Sequence, residues 1–177
     1  MSKITIFKDI KDTEQPFHRD INVILNRIKD GASKDKVNEI RSEKDKSKRN
    51  KLKQSLPSVC FSGEFTKRLD SAITQHSGFI CLDFDGYKSK KDMLQEKQRL
   101  SKDKYVYSVF ISPSDNGLKV IVKIPAEIED HKNYFNSLEK YFDSPYFDKT
   151  TKNISRVCYE SYDPLIYVNE LSSIWEK

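Results

Sequence analysis

The sequence predicts an α+β fold, a sheet with helices packed on one face. Three observations carry this. Stretches with apolar residues at helical spacing are interspersed with short strand-like runs. Two of those runs, Tyr105 to Ile111 and Leu118 to Ile124, are joined by Ser112-Pro113-Ser114-Asp115-Asn116-Gly117, and Asn-Gly between strand patterns is a strong hairpin signal. Finally, 177 residues with ten Phe and nine Tyr supply one real core and leave little room for a second.

The elements follow in order. Ile4-Thr5-Ile6-Phe7 opens as a strand. From about His18 to Lys29, Ile21, Ile24, Leu25 and Ile28 recur at helical spacing, and Asp30-Gly31 closes the segment. A second helix begins near Ser33, a candidate N-cap, and carries Val37 and Ile40. Arg41 to Gln54 is the most basic stretch, with Arg41, Lys44, Lys46, Lys48, Arg49, Lys51 and Lys53 against Glu43 and Asp45. It reads either as a solvated helix face or as a track for a polyanion. Leu56-Pro57 must end it. Ser58 to Ser62 is a strand, and after Gly63 a helix is expected with Phe65, Leu69, Ala72 and Ile73 on one side. Gly78 to Phe84 is the next strand. A charged helix from about Lys90 to Asp103 follows, with Met93, Leu94 and Leu100 as its stripe. Beyond the hairpin come a helix from about Glu129 to Phe142, a loop at Pro145, a last strand over Ile154 to Tyr159, and a short tail helix ending at Trp175.

Composition excludes some classes. No apolar run is long enough to span a bilayer, and no signal-peptide pattern follows Met1. A soluble cytoplasmic protein with no membrane partner is expected, in the host cytoplasm if phage-encoded. Cys60, Cys81 and Cys158 lie in apolar strand-like segments without C-x-x-C spacing, as buried reduced thiols do. His18, His76 and His131 are too scattered to suggest a metal cluster by spacing. The net charge of +5 permits a nucleic-acid or nucleotide partner without establishing one.

The richest stretch is Gly78-Phe79-Ile80-Cys81-Leu82-Asp83-Phe84-Asp85-Gly86. Residues i and i+2 of a strand share a face, so Asp83 and Asp85 stand side by side at its end while Phe84 points into the core. Two carboxylates that close disfavour each other's charge unless a cation neutralises them, and hard divalent ions such as Mg²⁺ or Mn²⁺ suit oxygen ligands. The bland alternative is a solvated strand-to-turn exit. In the hairpin loop, small residues and Gly117 let backbone approach a phosphate, and Lys119 aims an ammonium at the turn. A plain loop with a surface lysine is the competing reading. Further on, Asp148 precedes a loop and Arg156 enters a strand, offering a third acid and a phosphate fork.

Taken in order, these phrases resemble the archaeo-eukaryotic primase (primase-polymerase) superfamily, and more closely the VirE-type N-terminal primase-polymerase domain of phage and bacterial replication proteins. The matching phrases are Leu56-Pro57 with Phe61-Ser62-Gly63-Glu64-Phe65, His76-Ser77-Gly78 running into Leu82-Asp83-Phe84-Asp85, Ser112-Pro113-Ser114 with Asn116-Gly117-Leu118-Lys119, and Asn153-Ile154-Ser155-Arg156-Val157-Cys158 ending in Ser161-Tyr162-Asp163-Pro164. The resemblance implies an RRM-like catalytic core that joins nucleoside triphosphates on a DNA template and primer, with Mg²⁺ or Mn²⁺ as cofactor. It makes Asp83, Asp85 and Asp148 the metal-binding acids, with Asp163 a substitute for the third. Ser112, Ser114, Asn116, Gly117, Lys119 and Arg156 would hold the nucleotide, and Arg49, Lys51 and Lys53 would contact nucleic acid. The superfamily usually has a histidine at the place of Lys119, so the phosphate contact here is a point charge. A helicase, in the same chain or apart, is a further expected partner. The expected layout is one domain over 1–177: a helical part to about 55, the catalytic core over about 56–165, and the tail helix. Two rivals stand beside this reading. One is a non-catalytic, nucleic-acid-binding replication-accessory module on a primase-like fold. The other is a metal-dependent nuclease or a rolling-circle nickase, though no His-hydrophobic-His pair accompanies the tyrosines.

Overall fold

The computed structural model describes residues 2–176, and the hairpin expected from Asn-Gly lies at its centre. Strands β7 (Val106–Ile111) and β8 (Leu118–Lys123) pair antiparallel, and the Ser112 N–H closes the loop on the Gly117 carbonyl at 2.8 Å. The left-handed turn residue is Asp115, at φ 56°, while Asn116 and Gly117 keep negative φ. Aspartate is one of the few side chains that enter this region at small cost.

Strand β6 (Phe79–Phe84) pairs antiparallel with the other side of β8, setting Asp83 opposite Lys119 and Phe84 opposite Leu118. Helix α4 (Lys90–Leu100) connects β6 to β7, and α5 (His131–Phe142) follows β8. After α5 the chain returns to the free edge of β6 for a single bridge, Phe147 with Phe84. The Asp85 N–H donates to the Tyr146 carbonyl at 2.8 Å, and the Asp148 N–H to the Asp83 carbonyl at 2.9 Å. The result is a β-α-β-β-α-β unit whose fourth strand has shrunk to a bridge, in the order bridge–β6–β8–β7. That is the RRM-like antiparallel arrangement expected. Strand β10 (Tyr167–Val168) extends it beyond β7.

Alternation along β6 divides two cores. Ile80, Leu82 and Phe84 pack with Met93 and Leu100 of α4 and Phe135 and Leu138 of α5. Phe79, with Tyr107, Phe110 and Ile121, packs instead with Phe61 and with α1 (Ile21–Asp30). Helix α1 buries Ile21, Ile24, Leu25 and Ile28, the spacing read from sequence; Asp20 caps its start and Gly31, at φ 86°, ends it. Helices α4 and α5 thus cover one face. The other is covered by α1 and a second antiparallel sheet: β2 (Phe17–Asp20), β1 (Lys3–Phe7), β3 (Ser58–Cys60) and β9 (Cys158–Tyr159).

Three expectations are corrected. The first 55 residues are not simply helical. Besides α1, α2 (Lys34–Ser42) and α3 (Lys46–Lys53), they give β1 and β2 to the second sheet, and Phe17-His18-Arg19-Asp20 hid as a strand because an edge strand needs no apolar face. After Gly63 there is no long helix but the hairpin β4 (Gly63–Phe65) and β5 (Ile73–His76), with a short 3₁₀ turn at Asp70–Ala72. A Cβ on Gly63 would come within 2.2 Å of the Gln75 carbonyl oxygen, so this close pairing requires glycine. The apolar set that suggested a helix is split, with Phe65 fully buried and Leu69 49% exposed. Nor is there a tail helix. Trp175 instead anchors an irregular C-terminal segment, its ring against Tyr105 and Tyr141 and its Nε1–H donated to Ser137 Oγ at 2.7 Å.

Candidate active site

The two sheets diverge where β6 ends, and the aspartates emerge there. Phe84 is fully buried on the helix side, so Asp83 and Asp85 face the other way, as the alternation required. The ladder register places Lys119 directly across from Asp83, and its Nζ meets Asp83 Oδ2 at 2.6 Å with both side chains largely covered. Burial opposes the Lys119 charge, but the Asp83 carboxylate wins and holds its pKa above the ordinary lysine value. The lysine expected to face a triphosphate is therefore committed to an acid.

Between the aspartates and the hairpin loop lies a cavity of about 350 Å³. Asp83, Asp85, Ser112, Ser114, Asn116 and Lys119 line it, together with Lys53 at the end of α3 and Tyr159 of β9. Gly117 lets the loop pack closely on the end of β6, because a Cβ there would lie 2.9 Å from the Phe84 carbonyl oxygen and 3.3 Å from the Asp85 Cβ. The loop is also tethered from behind, where Arg41 Nη2 donates to the Ser112 carbonyl at 3.2 Å and to the Tyr162 carbonyl at 2.8 Å. Arg41 was grouped with the solvated cations of its basic stretch, and nothing in local composition distinguishes it from them. Tyr159 was only a strand residue in sequence; its place on the cavity wall follows from the pairing of β9 with β3.

The bridge at Phe147 brings the backbone of Asp148 beside that of Asp83, although Asp148 does not line the cavity, and its carboxylate accepts from the Thr150 N–H and hydroxyl at 2.9 and 2.7 Å. Burial raises the pKa of Asp85, and the charges of Asp148 and Asp83 raise it further. Asp163, the alternative third acid, lies elsewhere, in an enclosed setting. It is 3% exposed and accepts from Lys97 Nζ at 2.6 Å, from the Ile111 N–H at 2.9 Å and from the Leu165 N–H at 3.0 Å. Arg156 is not brought in either, standing exposed before β9 and away from the cavity lining. Arg49 and Lys51 lie on α3 outside the cavity, with Lys51 exposed.

Among the described residues, no three acidic, histidine or cysteine side chains converge closely enough to hold a metal ion as placed. With Asp83 joined to Lys119, the carboxylates do not close into one set. Their chemistry nevertheless suits a hard divalent ion: oxygen donors only, on neighbouring strands, with the raised pKa of Asp85 marking negative charge that a cation relieves.

A family model described as "BT4734-like, N-terminal domain" matches residues 51–168. The chain belongs to this family. The BT4734-like match opens inside α3 and takes in Lys53, both aspartates, the hairpin loop and Tyr159, hence every residue lining the cavity. Among solved structures, the AEP domain of the cyanophage S-2L primase-polymerase (PrimPol) is similar at a TM-score of 0.49 and 9% identity, over 98% of this chain and 83% of that one. No curated protein matches the sequence.

Proposed function

We propose that this chain is a template-dependent nucleotidyltransferase, a DNA primase or polymerase that joins nucleoside triphosphates in DNA replication. The observation that supports this is the gathering of the paired aspartates and the serine- and glycine-containing bend around one polar cavity, with Asp148 beside Asp83 at the sheet edge. The order of motifs shared with the primase-polymerase superfamily supports the same reading.

Asp83, Asp85 and Asp148 would hold Mg²⁺ or Mn²⁺, which when bound supplies charge neutralisation for phosphoryl transfer. The protein's own groups do the positioning. Ser112 and Ser114 offer hydroxyls and Asn116 an amide to phosphate oxygens, and Gly117 allows the loop that carries them to close on the end of β6 beside Asp85. Arg41 fixes the start of the loop through the Ser112 carbonyl. Lys119 neutralises Asp83 in the resting arrangement and stands one side chain from the bend, placed to share its charge with an incoming phosphate. The basic outer face of α3, with Arg49 and Lys51, would follow the template or primer backbone. A helicase would be a partner in such a role.

The test is nucleotide incorporation on primed and unprimed templates with Mg²⁺ or Mn²⁺. Wild type should extend or initiate a strand, and Asp83→Asn and Asp85→Asn should each abolish incorporation while circular dichroism stays native. The Asp83–Lys119 ion pair favours a second reading, an accessory module that binds nucleic acid without catalysis. Wild type that binds DNA and incorporates nothing would establish that alternative.

A further inference from the structure

Lys53 stands apart from the other cations of the site. Its side chain is half-buried at the last turn of α3 and lines the cavity together with the residues of the bend. Lys119 has Asp83 and Arg41 has two carbonyls, whereas the Lys53 ammonium makes no ion pair among the described residues. The charges that act on it most are Arg49, Lys119 and Lys46, all of its own sign, while of the acids lining the same cavity Asp83 is paired with Lys119 and Asp85 is left as the other. Partial burial of a cation among cations is unfavourable, and burial together with these neighbours lowers the Lys53 pKa. Such an arrangement costs stability unless an anion completes it, and local rules are broken in this way at functional sites.

We infer that Lys53 is a phosphate-binding residue of the nucleotide site, capturing the anionic tail of a nucleoside triphosphate in the cavity it shares with Ser112 and Gly117. This deepens the proposed function and rests on it. It also moves Lys53 from the nucleic-acid track, where its sequence neighbours place it, into the cavity. A lysine suits the task because a phosphate tail takes up a point charge without demanding a fixed fork. With Lys119 held on Asp83, Lys53 is the uncommitted positive charge of the cavity among the described residues.

Calorimetric titration tests this with two probes in Mg²⁺ buffer, inorganic tripolyphosphate and a single-stranded oligothymidylate. Lys53→Ala should weaken tripolyphosphate binding by about tenfold or more, the usual loss for a hydrogen bond to a charged group. Lys53→Arg should restore most of it, Lys44→Ala on the exposed loop before α3 should leave it unchanged, and oligothymidylate affinity should stay at the wild-type level in all three. The melting temperature of Lys53→Ala should equal or exceed that of wild type, since an unpaired cation is removed. Wild-type tripolyphosphate affinity in Lys53→Ala, or a loss confined to oligothymidylate, overturns the inference. So does a wild type that binds no tripolyphosphate. The two readings fail separately: a protein that polymerises while Lys53→Ala binds normally loses only the role of Lys53. One that shows the Lys53 effect but never incorporates nucleotide loses only the polymerase.

Discussion

Asp163 and Asp148 carry the same carboxylate into opposite surroundings. Asp163 is enclosed, answered by one buried ammonium and two backbone N–H groups. Asp148 is half-exposed at the sheet edge, satisfied by the hydroxyl and N–H of Thr150 two residues on. Removing one member of a buried pair strands the other, so Asp163→Ala leaves Lys97 uncompensated and should cost about 3–5 kcal/mol in urea unfolding. Asp148→Asn should unfold at the wild-type urea concentration, yet lose incorporation. A marginal loss of stability in Asp163→Ala, or full incorporation by Asp148→Asn, would reverse the two assignments. The sequence offered both acids because both flank the same Ser-Arg phrase. Burial separates them, and burial is decided by Lys97 and Ile111, far away along the chain.

At the scale of elements, α5 is joined to the β4–β5 hairpin by a contact that residue spacing concealed. His76 at the end of β5 and His131 at the start of α5 are both buried, with Nε2 of the first 3.1 Å from Nδ1 of the second. The Gly78 N–H donates to His76 Nδ1 at 3.0 Å, so the His76 proton resides on Nε2 and is donated to His131. A second proton has no acceptor here, and burial pushes the two pKa values down to about 4 for His76 and about 3 for His131. For a histidine depressed on folding, the stability contribution is whole above the unfolded value near 6.5 and is lost as pH falls toward the folded value. The wild type should therefore lose stability between about pH 6 and pH 4, with each histidine adding up to about 1.4 kcal/mol per pH unit. His131→Gln, which retains an acceptor for His76, should lose about one proton's share of that slope. Urea midpoints that run parallel for the two proteins across this range would remove the pair from the acid response. The strongly periodic elements, α1, α4, α5 and the β7–β8 hairpin, were legible because each presents one clear apolar face or turn signal. β2, β10 and the bridge at Phe147 were not, because a short edge strand is specified by the partner it joins and not by its own residues.

For the molecule as a whole, charge is distributed unevenly around the crevice between the sheets. Helix α3 reads Lys-Ser-Lys-Arg-Asn-Lys-Leu-Lys, without an acid and with no fully buried residue, although the chain as a whole carries a net charge of only +5. Its end turns Lys53 into the cavity, while Lys51 faces solvent. One helix thus presents two cationic surfaces, one toward the site that would take the triphosphate and one toward whatever strand passes its mouth. Counterion release makes the outer surface measurable, since each phosphate neutralised on a single strand adds about 0.7 to the slope of log affinity against log salt. Neutralising Arg49 and Lys51 together as Arg49→Gln and Lys51→Gln should weaken oligothymidylate binding and make that slope shallower by about 1.4. Tripolyphosphate affinity should hold, because neither side chain lines the cavity. An unchanged salt slope in the double variant would mean that the strand takes another path across the protein, and α3 would then serve the nucleotide pocket alone.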